Sequence, residues 1–326
     1  MSDYPPPTTT LDEWLQLSKN EIAKMVSERH LAVLLSIDGT RRHYLLSQAK
    51  ENSGSLEISD KDFEDFANHT SAAYVRVYNL LFSVGIDTVL TPVFFPPNFK
   101  RDSNYVEQAL AASKRIFLGT EFVELYRKWE LQTRIYGDFD LAPLACQVQN
   151  TIFSLAEELK RLTPNTHGND SKRLLFGYNA GTFVRETSSR TVLLYNNSGS
   201  IPDEQELRLA CFPDGPDKID LVIGSGWLRV GAILPPVLDN GNTDIYNVSN
   251  LVLDLEEHTL RCILYDRIFR RWAAPEDDTT YNLDDLALLK HYYTVHKRCS
   301  IGVGELIGSA SLWYPEHLHK DDEKIV

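Results

Sequence analysis

The stretch His30-Leu-Ala-Val-Leu-Leu-Ser-Ile37-Asp-Gly39 is almost continuously apolar until an acidic residue and a glycine end it. It lacks the apolar–polar alternation of a strand with one face in water. A short, unbroken apolar run beside a turn signal reads as a strand buried on both faces, the kind a covered parallel sheet requires. Similar runs recur along the chain. They are Ile86-Asp-Thr-Val-Leu-Thr-Pro-Val-Phe-Phe95, Gln132–Tyr136 before Gly137-Asp138, Arg173–Tyr178 before Asn179-Ala180-Gly181, and Ile219–Ile223 before Gly224-Ser225-Gly226. A shorter one lies near Ile245–Val248.

Helical patterns fill the intervals: Leu11 to about Glu28, 60–84 with Asp60 as N-cap, 104–130, 144–162, 256–272 and 282–297. Strands alternating with helices predict an α/β fold, a mostly parallel central sheet of about six strands flanked by helices. No repeat or Pro/Gly/Ser-rich linker divides the chain, and the polar stretch Thr163–Lys172 reads as a surface loop. The expectation is a single catalytic domain over 1–326, with 1–10 and 317–326 flexible.

Composition narrows the function classes. Of 326 residues, 43% are hydrophobic and 24% charged, as in a globular protein with a proper core. The 33 Lys and Arg stand against 46 Asp and Glu, a net charge of −13. That balance argues against nucleic acid as a partner while leaving room for a local basic cluster. Cys146, Cys211, Cys262 and Cys299 form no C-x-x-C pair, so reduced thiols are expected rather than a compact zinc site. The first residues show no basic n-region or apolar h-region, so a secretory signal is not expected, and no run approaches the roughly 20 apolar residues of a membrane span. A cytoplasmic protein without membrane insertion is expected.

In open α/β sheets ligands bind beyond the carboxyl ends of the strands. The first strand ends in Asp38-Gly-Thr-Arg-Arg-His-Tyr44. Asp38 offers a carboxylate for magnesium or for a proton. Arg41 and Arg42 offer guanidinium groups that fit phosphate oxygens. Gly39 lets the backbone turn and leaves amide N–H groups for an anion. The bland alternative is an Asp-Gly turn with two solvated arginines. Other strand ends carry Phe94-Phe-Pro-Pro-Asn-Phe-Lys-Arg101, Gly137-Asp138 and Tyr178-Asn179. There is no G-x-x-x-x-G-K-S/T phosphate loop, no H-E-x-x-H, no D-D-x-x-D and no D-x-D-D.

Asp38-Gly-Thr-Arg-Arg42 after an apolar strand resembles the first signature, D-G-N-G-R, of cis-prenyltransferases with the undecaprenyl diphosphate synthase fold. Arg134-Ile-Tyr-Gly-Asp138 and Asp220-Leu-Val-Ile-Gly-Ser-Gly226 resemble later signatures of that family. A closer resemblance is to the tuberculosinol/isotuberculosinol synthase and kolavelool synthase group, terpene synthases on the same fold. It is carried also by Gly85-Ile-Asp-Thr-Val89, Tyr105-Val-Glu-Gln-Ala-Leu110, Arg173-Leu-Leu-Phe-Gly177 and Thr259-Leu-Arg-Cys-Ile-Leu-Tyr-Asp266, and runs from about residue 30 to about 314. One departure matters. The last signature of the elongating enzymes carries an arginine for isopentenyl diphosphate where this chain has Gly224, with only Arg229 nearby.

The resemblance implies a bicyclic diterpenyl diphosphate of the halimane or clerodane type as substrate, ionised with loss of pyrophosphate and quenched by water to a diterpene alcohol. Arg41, Arg42 and Mg2+ would take the leaving group, with Asp38 holding the metal or orienting water, and Gly39 and Thr40 beside the phosphates. Aromatic faces for the cation would come from Phe66, Tyr74, Tyr78, Phe94, Phe95 and Tyr105. Tyr44 and Tyr105 would position water, and Asn179 would contact substrate. Aromatics at helical spacing serve core packing equally well. Alternatives are a chain-elongating cis-prenyltransferase, a non-catalytic subunit of that fold, and transfer to another nucleophile such as a nucleoside nitrogen. A homodimer is implied by the resemblance alone.

Overall fold

The computed structural model of the chain describes residues 9–49, 63–140, 143–163, 172–180, 183–212, 215–226, 243–271, 283–297, 303–307 and 312–315. Six strands, β1 (Ala32–Leu35), β2 (Thr88–Phe94), β3 (Gln132–Tyr136), β4 (Arg173–Tyr178), β5 (Leu221–Ser225) and β6 (Asp244–Val248), form one sheet in the order β3-β4-β2-β1-β5-β6. Every pairing is parallel. Val33 sits opposite Val89 on one side and Leu221 on the other, so β1 lies inside the sheet with all its residues buried.

The unbroken apolar run of β1 has a direct cause. Val33 and Leu35 join the larger core, with Trp14, Tyr78, Phe122 and Phe176. Leu34 points the other way, into a smaller cluster with Leu90, Leu175, Phe212 and Val222. Successive strand residues face opposite sides, so a strand covered twice has no polar position to offer. The strand order also reverses about β1, since β2, β4 and β3 build out one way and β5 and β6 the other. The crevice beyond the carboxyl end of β1 is therefore the expected ligand position.

Helices α1 (Leu11–Gln16) and α2 (Lys19–Ser27) replace the single helix expected over 11–28. Ser18 and Glu21 form a capping box that starts a second helix, and this local bond outcompetes continuation. Thr40–Ala49 is helix α3, although the Asp-Gly signal reads as a plain turn. Helix α4 spans Phe63–Ser83, while the expected cap Asp60 lies outside the described residues. Helix α5 (Pro96–Phe99) precedes the helical segments expected over 104–130, which are α6 (Ser103–Phe117) and α7 (Thr120–Trp129). Pro96 and Pro97 open the first and Gly119 caps the last.

Helices α8 (Cys146–Leu162), α9 (Phe183–Ser198), α10 (Glu204–Cys211), α11 (Glu257–Tyr265) and α12 (Leu283–His296) complete the set. A π-helical turn, Asp266–Arg270, prolongs α11. Neither α9 nor α10 follows from the sequence pattern. Helix α9 is rich in Ser, Thr and Asn, which compete for backbone bonds and blur the helical signal. The antiparallel pair β7 (Gly304–Ile307) and β8 (Leu312–Pro315) is likewise unexpected. No described helix is long and apolar enough to cross a membrane.

Candidate active site

A cavity of about 570 Å³ opens beyond β1 and β2, between α3, α4 and α6. Helix α6 contributes a stripe: Tyr105, Ala109, Ala112 and Ile116 recur at helical spacing and all line it. Helix α4 contributes Phe66, Thr70 and Tyr74, again one turn apart. Phe94, at the end of β2, forms another wall. The cavity is graded along its length. Thr40, Arg41, Asn98 and Tyr105 line its exposed or half-exposed end, whereas Tyr74, Ile116 and Phe117 lie buried at the other. Thr70 Oγ1 is buried in this wall with no hydrogen-bond partner among the described residues.

The mouth is cationic. The Arg41 guanidinium lies 5.0 Å from the Tyr105 ring centroid, and that of Arg101 lies 4.7 Å from the same centroid. Among the described residues, Arg41, Arg42 and Arg101 have no carboxylate partner. The Arg42 side chain folds over the turn at Gly39, where φ is +80° and an added Cβ would stand 3.2 Å from an Arg42 nitrogen and 3.1 Å from Leu251 Cδ2. A side chain there would meet both steric and backbone strain. Asp38 is exposed and has neither hydrogen bond nor ion pair among the described residues.

Of the residues expected from sequence, Thr40, Arg41, Phe66, Tyr74, Phe94 and Tyr105 converge on this cavity. Asp38, Gly39 and Arg42 lie in the turn beside it. Tyr44 is buried one layer behind, with its ring edge-on to Phe66 at 5.6 Å and to His69 at 5.5 Å. Tyr78 is enclosed in the core. Its hydroxyl donates to Thr91 Oγ1 at 2.9 Å, and burial holds its pKa well above the usual phenol value. Phe95 caps α5, its backbone N–H donating to Asn98 Oδ1 at 2.8 Å, and does not line the cavity. Asn179 is buried with φ +53°, and its side-chain amide donates to the Asp138 carbonyl at 2.8 Å. That bond gives Asn179 a backbone-shaping role at the end of β4.

Sequence reasoning places Asn98 and Arg101 at a strand end without singling them out, and of the α6 stripe it names only Tyr105. Arg101 stands just past the short helix that Pro96-Pro97 begins, and only the fold brings it to Tyr105. Gly224, on β5, has room for a Cβ in ordinary contact with Ser36 at 3.5 Å, and Arg229 lies outside the described residues. A second cavity of about 480 Å³ lies across the Gly39 turn, with Leu251 in its wall. Its described lining includes Asp254 and Glu256 and no Lys or Arg.

As for magnesium, no cluster of three or more His, Cys, Asp or Glu that would cage a metal exists among the described residues. Magnesium commonly uses one or two carboxylates plus substrate phosphates and water, and unpaired Asp38 beside a cationic mouth fits that donor set.

No protein-family model matches the chain. A tuberculosinyl adenosine transferase of Mycobacterium tuberculosis (strain CDC 1551 / Oshkosh) is 26% identical over 307 residues, spanning 93% of this chain and 97% of that protein. The lavandulyl diphosphate synthase of Lavandula x intermedia, solved with dimethylallyl diphosphate, superposes with a TM-score of 0.54 at 17% identity, over 74% of this chain and 96% of that one. A probable undecaprenyl diphosphate synthase of Campylobacter jejuni gives a TM-score of 0.49 at 16% identity, over 74% of this chain and 95% of its own. The chain has a cis-prenyltransferase-like α/β fold, with all six strands of its central sheet parallel.

Proposed function

We propose that this chain is an enzyme acting on a prenyl-type diphosphate, specifically a diterpene synthase. It ionises a bicyclic diterpenyl diphosphate of the halimane or clerodane type and captures the cation with water. The products are a diterpene alcohol and pyrophosphate. The observation that carries this reading is the polarity gradient of the main cavity: guanidinium groups at the mouth without a carboxylate partner among the described residues, and buried aromatic and aliphatic walls behind. Heterolysis of the carbon–oxygen bond separates an anion from an allylic cation. A site laid out with cations at one end and ring faces at the other stabilises both as the charge develops.

Arg41 and Arg101 hold the departing diphosphate across the Tyr105 ring, with Arg42 beside them. Asp38 would hold Mg2+, which would neutralise developing charge on the leaving group. Phe66, Tyr74 and Phe94 present ring faces to the cation and exclude bulk water. Thr70, whose buried hydroxyl lacks a partner among the described residues, offers one polar point on that wall where an attacking water is held. Chain elongation is disfavoured because Gly224 supplies no side chain to a second diphosphate. The reading includes a single catalytic domain working as a cytoplasmic homodimer.

A second reading is transfer of the prenyl group to a nucleoside nitrogen. The mycobacterial relative's function favours it, as does the second cavity, whose acidic lining suits a neutral acceptor better than a diphosphate. The test is mass spectrometry of products from linear and bicyclic diphosphates, with and without magnesium, and with and without adenosine. A diterpene alcohol supports the first reading, and an adenosine adduct supports the second. A longer prenyl chain made from added isopentenyl diphosphate would overturn both.

A further inference from the structure

Helix α3 carries Arg41, and most of its described residues are exposed or half-exposed. Of residues 40–48, Tyr44 alone is buried. Its first turn is anchored instead by a chain of polar contacts on the side away from the cavity. His69 Nε2, on α4, lies 2.8 Å from His43 Nδ1, and His43 Nε2 lies 3.1 Å from Asp254 Oδ1. The same carboxylate oxygen accepts from Arg76 at 3.1 Å, and Arg76 also donates to the Leu253 carbonyl.

The carboxylate settles one end of the chain. An ionised carboxylate only accepts, so the facing nitrogen of His43 carries a proton. Burial, together with neighbouring His43, holds the His69 pKa below its usual value, which favours the neutral ring. His43 therefore donates to Asp254, and the two imidazoles share one hydrogen bond at 2.8 Å. The backbone completes the tie. The His43 N–H donates to the Gly39 carbonyl at 2.8 Å, and Leu251, three residues before Asp254, packs on the Gly39 turn. The segment 251–254 thus grips the Asp38–Arg42 turn at two points, once by packing and once through His43.

We propose that His43 and His69 are positioning residues for the diphosphate-binding turn: the imidazole pair fixes α3 against α4 and the 251–254 segment, and so sets where the Arg41 and Arg42 guanidinium groups stand. Neither ring lines the cavity, and their effect runs through the arginines. The inference rests on the diphosphate reading of that cavity. Misplacing a charged group by about 1 Å costs up to about a hundredfold in rate even when the change is remote from the chemistry.

The experiment uses two probes on the full chain, inorganic pyrophosphate for the mouth and farnesol for the apolar body. In His43→Leu, pyrophosphate affinity should fall about tenfold or more and kcat for pyrophosphate release by a similar factor. Farnesol affinity should stay within about twofold. His43→Gln keeps one donor for Asp254 and one polar atom for His69, and should restore pyrophosphate affinity to within about threefold. His69→Phe keeps the ring beside Tyr44 and loses the bond. It carries the same test should His43→Leu fail to fold, as judged by thermal unfolding. A folded His43→Leu protein that binds pyrophosphate like the native chain overturns the inference and leaves the diphosphate reading standing. So does equal impairment of the Leu and Gln variants. A native chain that binds no pyrophosphate overturns both.

Discussion

Arg41, on the helix after β1, and Arg101, on the loop after β2, bring their guanidinium groups to one aromatic ring, 5.0 and 4.7 Å from the Tyr105 centroid. Two like charges so placed repel, and among the described residues no carboxylate offsets them. In a chain of net charge −13, acids to pair them were available in quantity. An arrangement that leaves them bare is stabilised when an anion arrives, and the Tyr105 ring holds both planar groups ready for it.

Removing one of these cations should therefore weaken anion binding without harming the fold. A hydrogen bond to a charged group contributes about 1.5–3 kcal/mol, roughly ten- to a hundredfold in affinity. Arg101→Leu is expected to lose that much for pyrophosphate in isothermal titration. Tyr105→Phe keeps the ring and should stay within about threefold, whereas Tyr105→Ala should lose more. Pyrophosphate affinity unchanged in Arg101→Leu would remove Arg101 from the site.

Asp38 is exposed and unpaired among the described residues, so no described contact depends on its charge. Asp38→Asn is nearly isosteric. It should leave the unfolding midpoint close to native while turnover falls by roughly two orders of magnitude or more. A chelator should lower native turnover comparably and have little further effect on the variant. Turnover of Asp38→Asn within about threefold of native would exclude the carboxylate from the reaction.

The cavity wall on α6 is made partly of small residues, and its length should set the size of substrate admitted. Ala112→Phe fills the cavity from a buried position. Steady-state assays should show kcat/KM for a twenty-carbon diphosphate falling at least about tenfold, with a ten-carbon diphosphate affected much less. Equal losses for both would mean that the substitution damages packing generally and that this wall does not measure chain length.

The strands are legible in the sequence because each pays attention to two cores at once. Leu34 and Val33 belong to opposite faces, and only an unbroken apolar run satisfies both. The turn after β1 is legible for a similar reason, since Asp, Gly and Arg beyond a buried strand mark the crevice. What stays hidden is depth. Tyr74 and Tyr78 share a helical face by spacing, yet Tyr74 lines the cavity while Tyr78 sits under β2, bonded to Thr91. Spacing gives a direction around a helix and cannot say what stands opposite. Arg101 is hidden by the same limit, because its partner ring lies on another element. Helix α9 escapes because it carries exposed apolar residues such as Val184 and Val192, which spoil the amphipathic pattern.

One buried group outside the cavity gives stability its own pH dependence. Glu186, on α9, is 1% exposed, and its Oε1 has no hydrogen-bond partner among the described residues. Burial, reinforced by the nearby Asp138 carboxylate and opposed by Arg190, raises its pKa from 4.5 to about 7. The folded chain thus holds this proton more tightly than the unfolded chain does. Below about pH 4.5 both states are protonated and Glu186 costs nothing. As pH rises, the unfolded chain ionises first, and the advantage of the folded state shrinks until it is lost above about pH 7. Between about pH 6 and pH 8 this linkage should remove roughly 1 kcal/mol of unfolding free energy, measurable by urea titration. Glu186→Gln has no proton to lose at this position. Its stability should fall less over the same interval, and identical slopes for the two proteins would show that Glu186 does not titrate there.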